Sequence, residues 1–377
     1  MKLSLPIHIL TGMVFSCCAQ SFCLGDSIAL PGFGRPLIVD DVLIGFRTYK
    51  REVIGIKRET GEFLWRFGTS RPPFRLLEAG KDSVAAVQFD TISILDAQTG
   101  LRKATLHVDG FTFGVSSDRS VYCWNTNGAI TSYDLLSGKE LWRTTYGGEN
   151  SNILYPQHAG NLILLASTAR EGISTSGLGG AIRVSPVKNE IACLNATDGS
   201  ELWNERISLS EGNQWLIHFV SNDESRTIWC TPNCLRILDS QTGEILLRWD
   251  SPFDISSATF WKEDRIVVYL GGIGAESQLL HIISVPEFDT VKRYTVNQTG
   301  VSRIETVSDV LLVSRLDQSV GVDLRNGITL WEKKGRRFAP YQGSLYFGGY
   351  HGGMNVLGVC DPTTGNEKVL YESSSKN

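Results

Sequence analysis

From residue 36 onward the chain is a succession of short apolar runs broken by Gly, Asp and Lys. Residues 36–39, 42–46, 53–56 and 63–67 are the first four. Runs this short, bounded by turn formers, predict β-strands, with a tight turn at Gly61 joining the last two. The same four-run pattern predicts further groups at residues 74–106, 110–145, 154–207, 215–249, 254–296, 301–333 and 337–371. No stretch asks for a long helix. The expected fold is therefore all-β.

A short unit punctuates these groups. Asp323 to Trp331 reads Asp-x-x-x-Gly-x-x-x-Trp, and Asp134 to Trp142 repeats it. Asn195 to Trp203 has Asn for Asp, and Lys57 to Trp65 has Lys at that position. Asp96 to Gly100, Asp239 to Gly243 and Asp361 to Gly365 keep the turn, with Ala104, Leu247 and Val369 where Trp would stand. Pro286 to Val291 is a degenerate copy without the Gly. The turn glycines 61, 100, 138, 199, 243, 327 and 365 recur at about 40 residues, and the degenerate copy fills the double gap. Asp bonds backbone N–H groups at a tight turn and Gly supplies positive φ, so the unit closes a hairpin. An indole four residues on has area to bury against a neighbouring repeat. Trp65, Trp142, Trp203 and Trp331 are expected as wedges between repeats. Eight copies predict a single eight-bladed β-propeller of four-stranded antiparallel blades, with seven blades the runner-up.

These units resemble the PQQ-like β-propeller repeat with its tryptophan-docking motif, over residues 36–371. By length and repeat count the chain is similar to the propeller lipoprotein of the bacterial outer-membrane β-barrel assembly machinery. The resemblance implies a scaffold or assembly subunit of the cell envelope, with protein partners. The same repeat occurs in PQQ-dependent quinoprotein dehydrogenases, and that enzyme is the alternative reading. The resemblance implies that such an enzyme is longer and needs a calcium site and, in many members, a disulfide of adjacent cysteines. The only adjacent pair here is Cys17 and Cys18. No cofactor is expected.

The first 23 residues change the picture of where the protein works. Lys2, an apolar run from Leu3 to Phe15, and Ala19-Gln20-Ser21 read as an export signal. Val14 to Cys17 resembles a lipobox, making Cys17 or Cys18 a candidate for lipid attachment. The expected domains are an export signal at 1–23, the propeller at 24–372 and a disordered tail at 373–377. A periplasmic or secreted protein follows, held by lipid where the cysteine is modified. No later run of 18 apolar residues is present, so no transmembrane helix is expected in the mature chain. Net charge of −4 argues against bulk nucleic-acid binding. A monomeric ring is expected. In an oxidising compartment Cys230 and Cys234, flanking a Pro-Asn turn, are a candidate disulfide. Cys123, Cys193 and Cys360 sit in apolar runs and are expected in the core. Asn195 and Asn297 begin glycosylation sequons, usable only in a glycosylating host.

Candidate chemistry is sparse. The six histidines do not pair at metal spacing. His351 lies in a loop of the last blade, where it can face the central funnel. The carboxylates belong mostly to turns, and the Gly177 to Gly180 stretch is neither a P-loop nor a dinucleotide fingerprint. No catalytic or metal residue is assigned. Two long insertions stand out instead, Arg170 to Arg183 and Gly271 to Ser277, both between second and third strands and so on one face. Long loops on a rigid scaffold carry function. On that face Arg47, Lys50 and Arg51 should neighbour Lys333, Lys334, Arg336 and Arg337 across ring closure. With Arg170 and Arg183 these form the candidate partner-binding set, suited to an anionic partner. Ile28 to Leu30 is expected to close the ring by adding a strand to the last blade.

Overall fold

A computed structural model describes residues 33–374, apart from 48–49, 72, 74, 89, 109, 116–119, 126–127, 147–150, 160, 175–182, 208–216, 221–224, 232, 252–253, 263, 271–277, 285–289, 297–302 and 316–317. Eight four-stranded antiparallel sheets follow one another along the chain and form an eight-bladed β-propeller. Blade 1 consists of Leu37–Val39, Val42–Arg47, Glu52–Lys57 and Phe63–Gly68. The remaining blades span 75–107, 111–145, 151–207, 217–250, 255–296, 303–334 and 336–374. The last strand continues past residue 372: Ser373 and Ser374 pair with Asn355 and Met354.

Each blade packs on both neighbours, which explains the burial along its strands. Second and third strands are buried on both faces, as in Val42–Arg47 and Val310–Ser314. Fourth strands alternate, as in Phe63–Gly68 and Ile245–Asp250, because they form the outer edge. Charged side chains such as Arg66, Arg143, Arg248 and Glu332 occupy that edge and discourage edge-to-edge pairing. Apolar clusters join every consecutive pair of blades. The circuit closes where Leu43 and Ile54 of blade 1 meet Tyr346 and Leu357 of blade 8.

Ring closure uses the residues just before blade 1. The Phe33 N–H donates to the Gly349 carbonyl of blade 8, and the Gly34 N–H to Phe46 of blade 1. The segment threads tightly, since a Cβ on Gly348 would lie 2.1 Å from the Gly34 oxygen. Residues 28–30, expected to supply a closing strand, lie outside the described residues, as do the expected export signal at 1–23 and Cys17, Cys18 and Cys23.

Antiparallel pairing throughout gives the ring two faces. The Asp-x-x-x-Gly turns and the first-to-second turns lie on the turn face. The second-to-third loops and blade links lie on the loop face. Blade 4 departs from the others. Its middle strands, Leu162–Ser174 and Arg183–Asn195, are 13 residues each, and pair as far as Ser174 with Arg183. The insertion expected as a loop therefore begins and ends as a two-stranded ribbon. Its tip, 175–182, lies outside the described residues, as does 271–277.

Candidate interaction surface

The repeat unit forms a docking joint. In the blade 2 turn, Asp96 Oδ1 accepts from the Gln98 and Thr99 N–H groups and the Thr99 hydroxyl at 2.9–3.1 Å. Gly100, at φ 67°, returns its N–H to the Asp96 carbonyl. The residue after the Asp then works in two directions. The Ala97 N–H donates to the Asp82 carbonyl in its own blade, while the Ala97 carbonyl accepts Trp65 Nε1 of blade 1 at 2.8 Å. Trp142 reaches Ala196, Trp203 reaches Ser240 and Trp331 reaches Pro362 in the same manner. The indole is clamped between glycines in two of these joints. A Cβ on Gly55 or Gly100 would lie within 2.5 Å of Trp65, and Trp331 sits likewise between Gly321 and Gly365.

Each third-to-fourth strand pair also carries a register shift just before this position, for example at Gly55/Ile56 and Gly321/Val322. Such a bulge turns the following side chain toward the next blade. Blade 6 lacks the unit's Trp. There Tyr294 donates to the Leu324 and Arg325 carbonyls of blade 7, and Lys292 Nζ also donates to Arg325. Trp261, in the first-to-second turn of the same blade, adds a bond to the Ser308 carbonyl at 3.0 Å. The sequence pattern does not reveal these two substitutes, because neither stands at the repeat's Trp spacing.

The candidate partner residues are not brought together as one exposed set. Arg47 is buried, ion-paired with Glu52 and donating to the Ser373 hydroxyl at 2.6 Å. Arg336 is buried against the Phe347 ring, with Glu367 at 3.2 Å and the Tyr350 carbonyl at 2.9 Å. Arg47 fills the seam between blades 1 and 8 and Arg336 is buried within blade 8, which the run of basic residues in sequence does not betray. Lys333 lies 3.9 Å from Glu367, Lys334 is exposed and Arg337 is half-buried. Lys50 and Arg51 are on the loop face, joined there by Arg66 and Arg71, which the sequence reading missed because they belong to an edge strand and a blade link. Arg170 and Arg183 lie in the ribbon strands of blade 4.

Cys230 and Cys234 are both free and buried, against the expected disulfide. Cys234 pairs with Thr231 and Cys230 with Leu235, so the two cysteines point to opposite faces of the sheet. Cys123, Cys193 and Cys360 are buried and outside any disulfide too, and burial pushes the Cys193 and Cys360 thiols up to about 12. His351 is exposed at the loop-face end of blade 8. Between blades 4 and 5 an apolar cleft is lined by Leu164, Ile191, Trp203, Trp229 and Leu238, with no carboxylate or histidine. Among the described residues no group of three His, Cys, Asp or Glu is placed to hold a metal ion, and no helix is long and apolar enough to cross a membrane.

Residues 50–212 match the PQQ-repeat family model described as outer membrane protein assembly factor BamB. Over those residues the PQQ-like repeat is therefore confirmed. No curated protein sequence matches the chain. Many solved structures share the fold. BamB from Moraxella catarrhalis is 14% identical, with a TM-score of 0.54 over 80% of this chain and 88% of that one. A europium-containing methanol dehydrogenase is 12% identical, with a TM-score of 0.59 over 86% and 83%. The dihydro-heme d1 dehydrogenase NirN is 14% identical, with a TM-score of 0.63 over 90% and 76%. At these identities the likeness is one of fold, and it spans an assembly factor and enzymes alike.

Proposed function

We propose that this chain is a non-catalytic, exported propeller that serves as a protein-interaction platform in the cell envelope. The observation that carries this reading is the blade 4 ribbon. Second and third strands elsewhere in the ring are far shorter, and the conserved geometry of the repeat is occupied with docking blade to blade. Among the described residues blade 4 alone extends its middle strands beyond the face, with Arg170 to Ser174 pairing against Arg183 to Pro186. An extended ribbon on a rigid ring offers backbone groups to an added strand from a partner. The partial match to the BamB model and the export signal read in the sequence support the same compartment.

The test replaces residues 170–187 with Asn-Gly, a two-residue hairpin turn joining Ala169 to Lys188, a cross-strand pair in the intact blade. Photocrosslinkers at Lys334 and at Glu171 in the intact chain should capture the same envelope protein. The shortened chain should keep its melting temperature and lose that crosslink at Lys334. Retention of the crosslink by a folded, shortened chain would overturn the role of the ribbon.

A further inference from the structure

We propose that the loop-face corner of blade 1, carrying Lys50, Arg51, Arg66 and Arg71, seats against the headgroups of acidic phospholipids. This goes beyond the protein-partner reading and fails or stands separately from it. The corner is built, since the Thr69 N–H donates to the Arg51 carbonyl at 2.7 Å and Arg51 Nη1 reaches the Ser70 carbonyl. That pins the blade link carrying Arg71 to the turn carrying Lys50. The Arg66 and Arg71 side chains are 54% and 61% exposed. Each faces one carboxylate: Glu52 is nearly buried and shared between Arg47 and Arg66, and Asp90 lies 3.4 Å from Arg71. Slight desolvation and the Arg47 and Arg66 charges together lower the proton affinity of Lys50, which reports how closely the cations gather.

The second observation is where the chain joins the ring. Phe33 and Gly34 bond Gly349 and Phe46, at the loop-face ends of their strands and next to Arg47. The Arg47 guanidinium lies over the Phe33 ring at 5.5 Å, and the candidate lipid-attachment cysteines Cys17 and Cys18 precede Phe33 in the chain. Each basic side chain near an anionic surface contributes about fivefold in affinity.

The experiment is cosedimentation of the full chain, carrying Cys17→Ser and Cys18→Ser, with phosphatidylcholine vesicles with or without phosphatidylglycerol. We expect binding only with phosphatidylglycerol, weakening with salt. The variant Lys50→Gln/Arg51→Gln/Arg66→Gln should bind about 100-fold more weakly. Where the triple variant melts early, Arg51→Gln alone should lose about fivefold. Equal binding of variant and parent, or equal binding to neutral vesicles, would overturn the proposal. So would loss of binding to a soluble poly-glutamate peptide with vesicle binding unchanged, which would assign the corner to an acidic protein segment.

Discussion

Trp142 Nε1 donates to the Ala196 carbonyl at 3.1 Å, and the Ala196 N–H donates in turn to the Asn161 carbonyl at 2.9 Å. One residue thus receives the preceding blade on its carbonyl oxygen and holds its own blade's inner turn through its N–H. The joint combines aromatic burial with a directed bond, and the two contributions separate by mutation.

Trp331 is the most informative place to do so, because it is 7% exposed and its bond to Pro362 is 2.7 Å. Trp331→Ala should cost about 3–5 kcal/mol, the range for deleting a large buried aromatic. Trp331→Phe keeps most of the ring and leaves the carbonyl unanswered, at about 1–2 kcal/mol. Chemical denaturation reads both. A cost below about 1 kcal/mol for the alanine variant would mean the ring is no wedge.

Gly100 and Gly138 have nearly the same φ, 67° and 68°, in equivalent turns. A Cβ on Gly100 would lie 2.5 Å from the Trp65 ring, whereas on Gly138 the nearest atom, of Leu106, is 3.9 Å away. Ala104 stands where blade 2 would have its Trp, so that seam has room. Gly138→Ala should cost about 1–2 kcal/mol for the left-handed backbone alone. Gly100→Ala should cost at least about 1 kcal/mol more from overpacking. Equal losses in denaturant midpoint would contradict the clamp.

The turn carboxylates should lose their contribution only in acid. Asp361 Oδ1 accepts the Thr363 and Thr364 N–H groups at 2.9 and 2.7 Å, and the Thr364 bonds hold its carboxyl below its ordinary value of 3.8. A depressed carboxylate stabilises the fold above its unfolded pKa, and that contribution is lost as pH falls through the folded value. Asp361→Ala should cost about 1 kcal/mol at neutral pH. Asp361→Asn should cost less, because Asn195 makes the equivalent bond to the Thr197 N–H at 2.9 Å. Thermal melts at pH 7 rank the two.

His281 sets a different window. It is 3% exposed at the blade 5–6 seam, with Trp249 at 6.2 Å and neither ring nitrogen hydrogen-bonded. Burial, then the Arg293 charge on the adjoining strand, lowers its pKa from 6.5. The unfolded chain takes up the proton first, so stability falls as pH drops below about 6.5, by up to about 1.4 kcal/mol per pH unit. His281→Leu should flatten the melting temperature between pH 6.5 and the carboxylate range, a window set by that ordinary value. An unchanged slope would place the proton uptake elsewhere.

Most of this ring was legible in the chain, and the residues explain why. Turn chemistry is local: Asp, Thr and Gly at fixed offsets must form the same hairpin wherever they occur, so Gly61 to Gly365 mark the blades directly. The first blade's strands fall within one residue of the pattern of apolar runs. What the pattern hides is three-dimensional. Tyr294 substitutes for a Trp because its hydroxyl reaches carbonyls in another blade. Arg47 and Arg336 look like surface charge in sequence, yet Glu52 and Glu367 hold them in buried ion pairs. The basic corner joins residues from a turn, an edge strand and a link, and a two-residue turn rather than a longer one puts Cys230 and Cys234 on opposite faces. Function was less legible still, because the repeat specifies how blades join and says nothing of what the ring binds.

The most direct measurement is a thermal unfolding scan of the protein with PQQ and calcium added. A platform whose repeat chemistry is used up in blade docking predicts an unchanged midpoint. A ligand at 100 times its dissociation constant stabilises by about 2.7 kcal/mol, which moves the midpoint by several degrees in a domain of this size. Such a shift would contradict the platform reading and return the ring to the quinoprotein dehydrogenases.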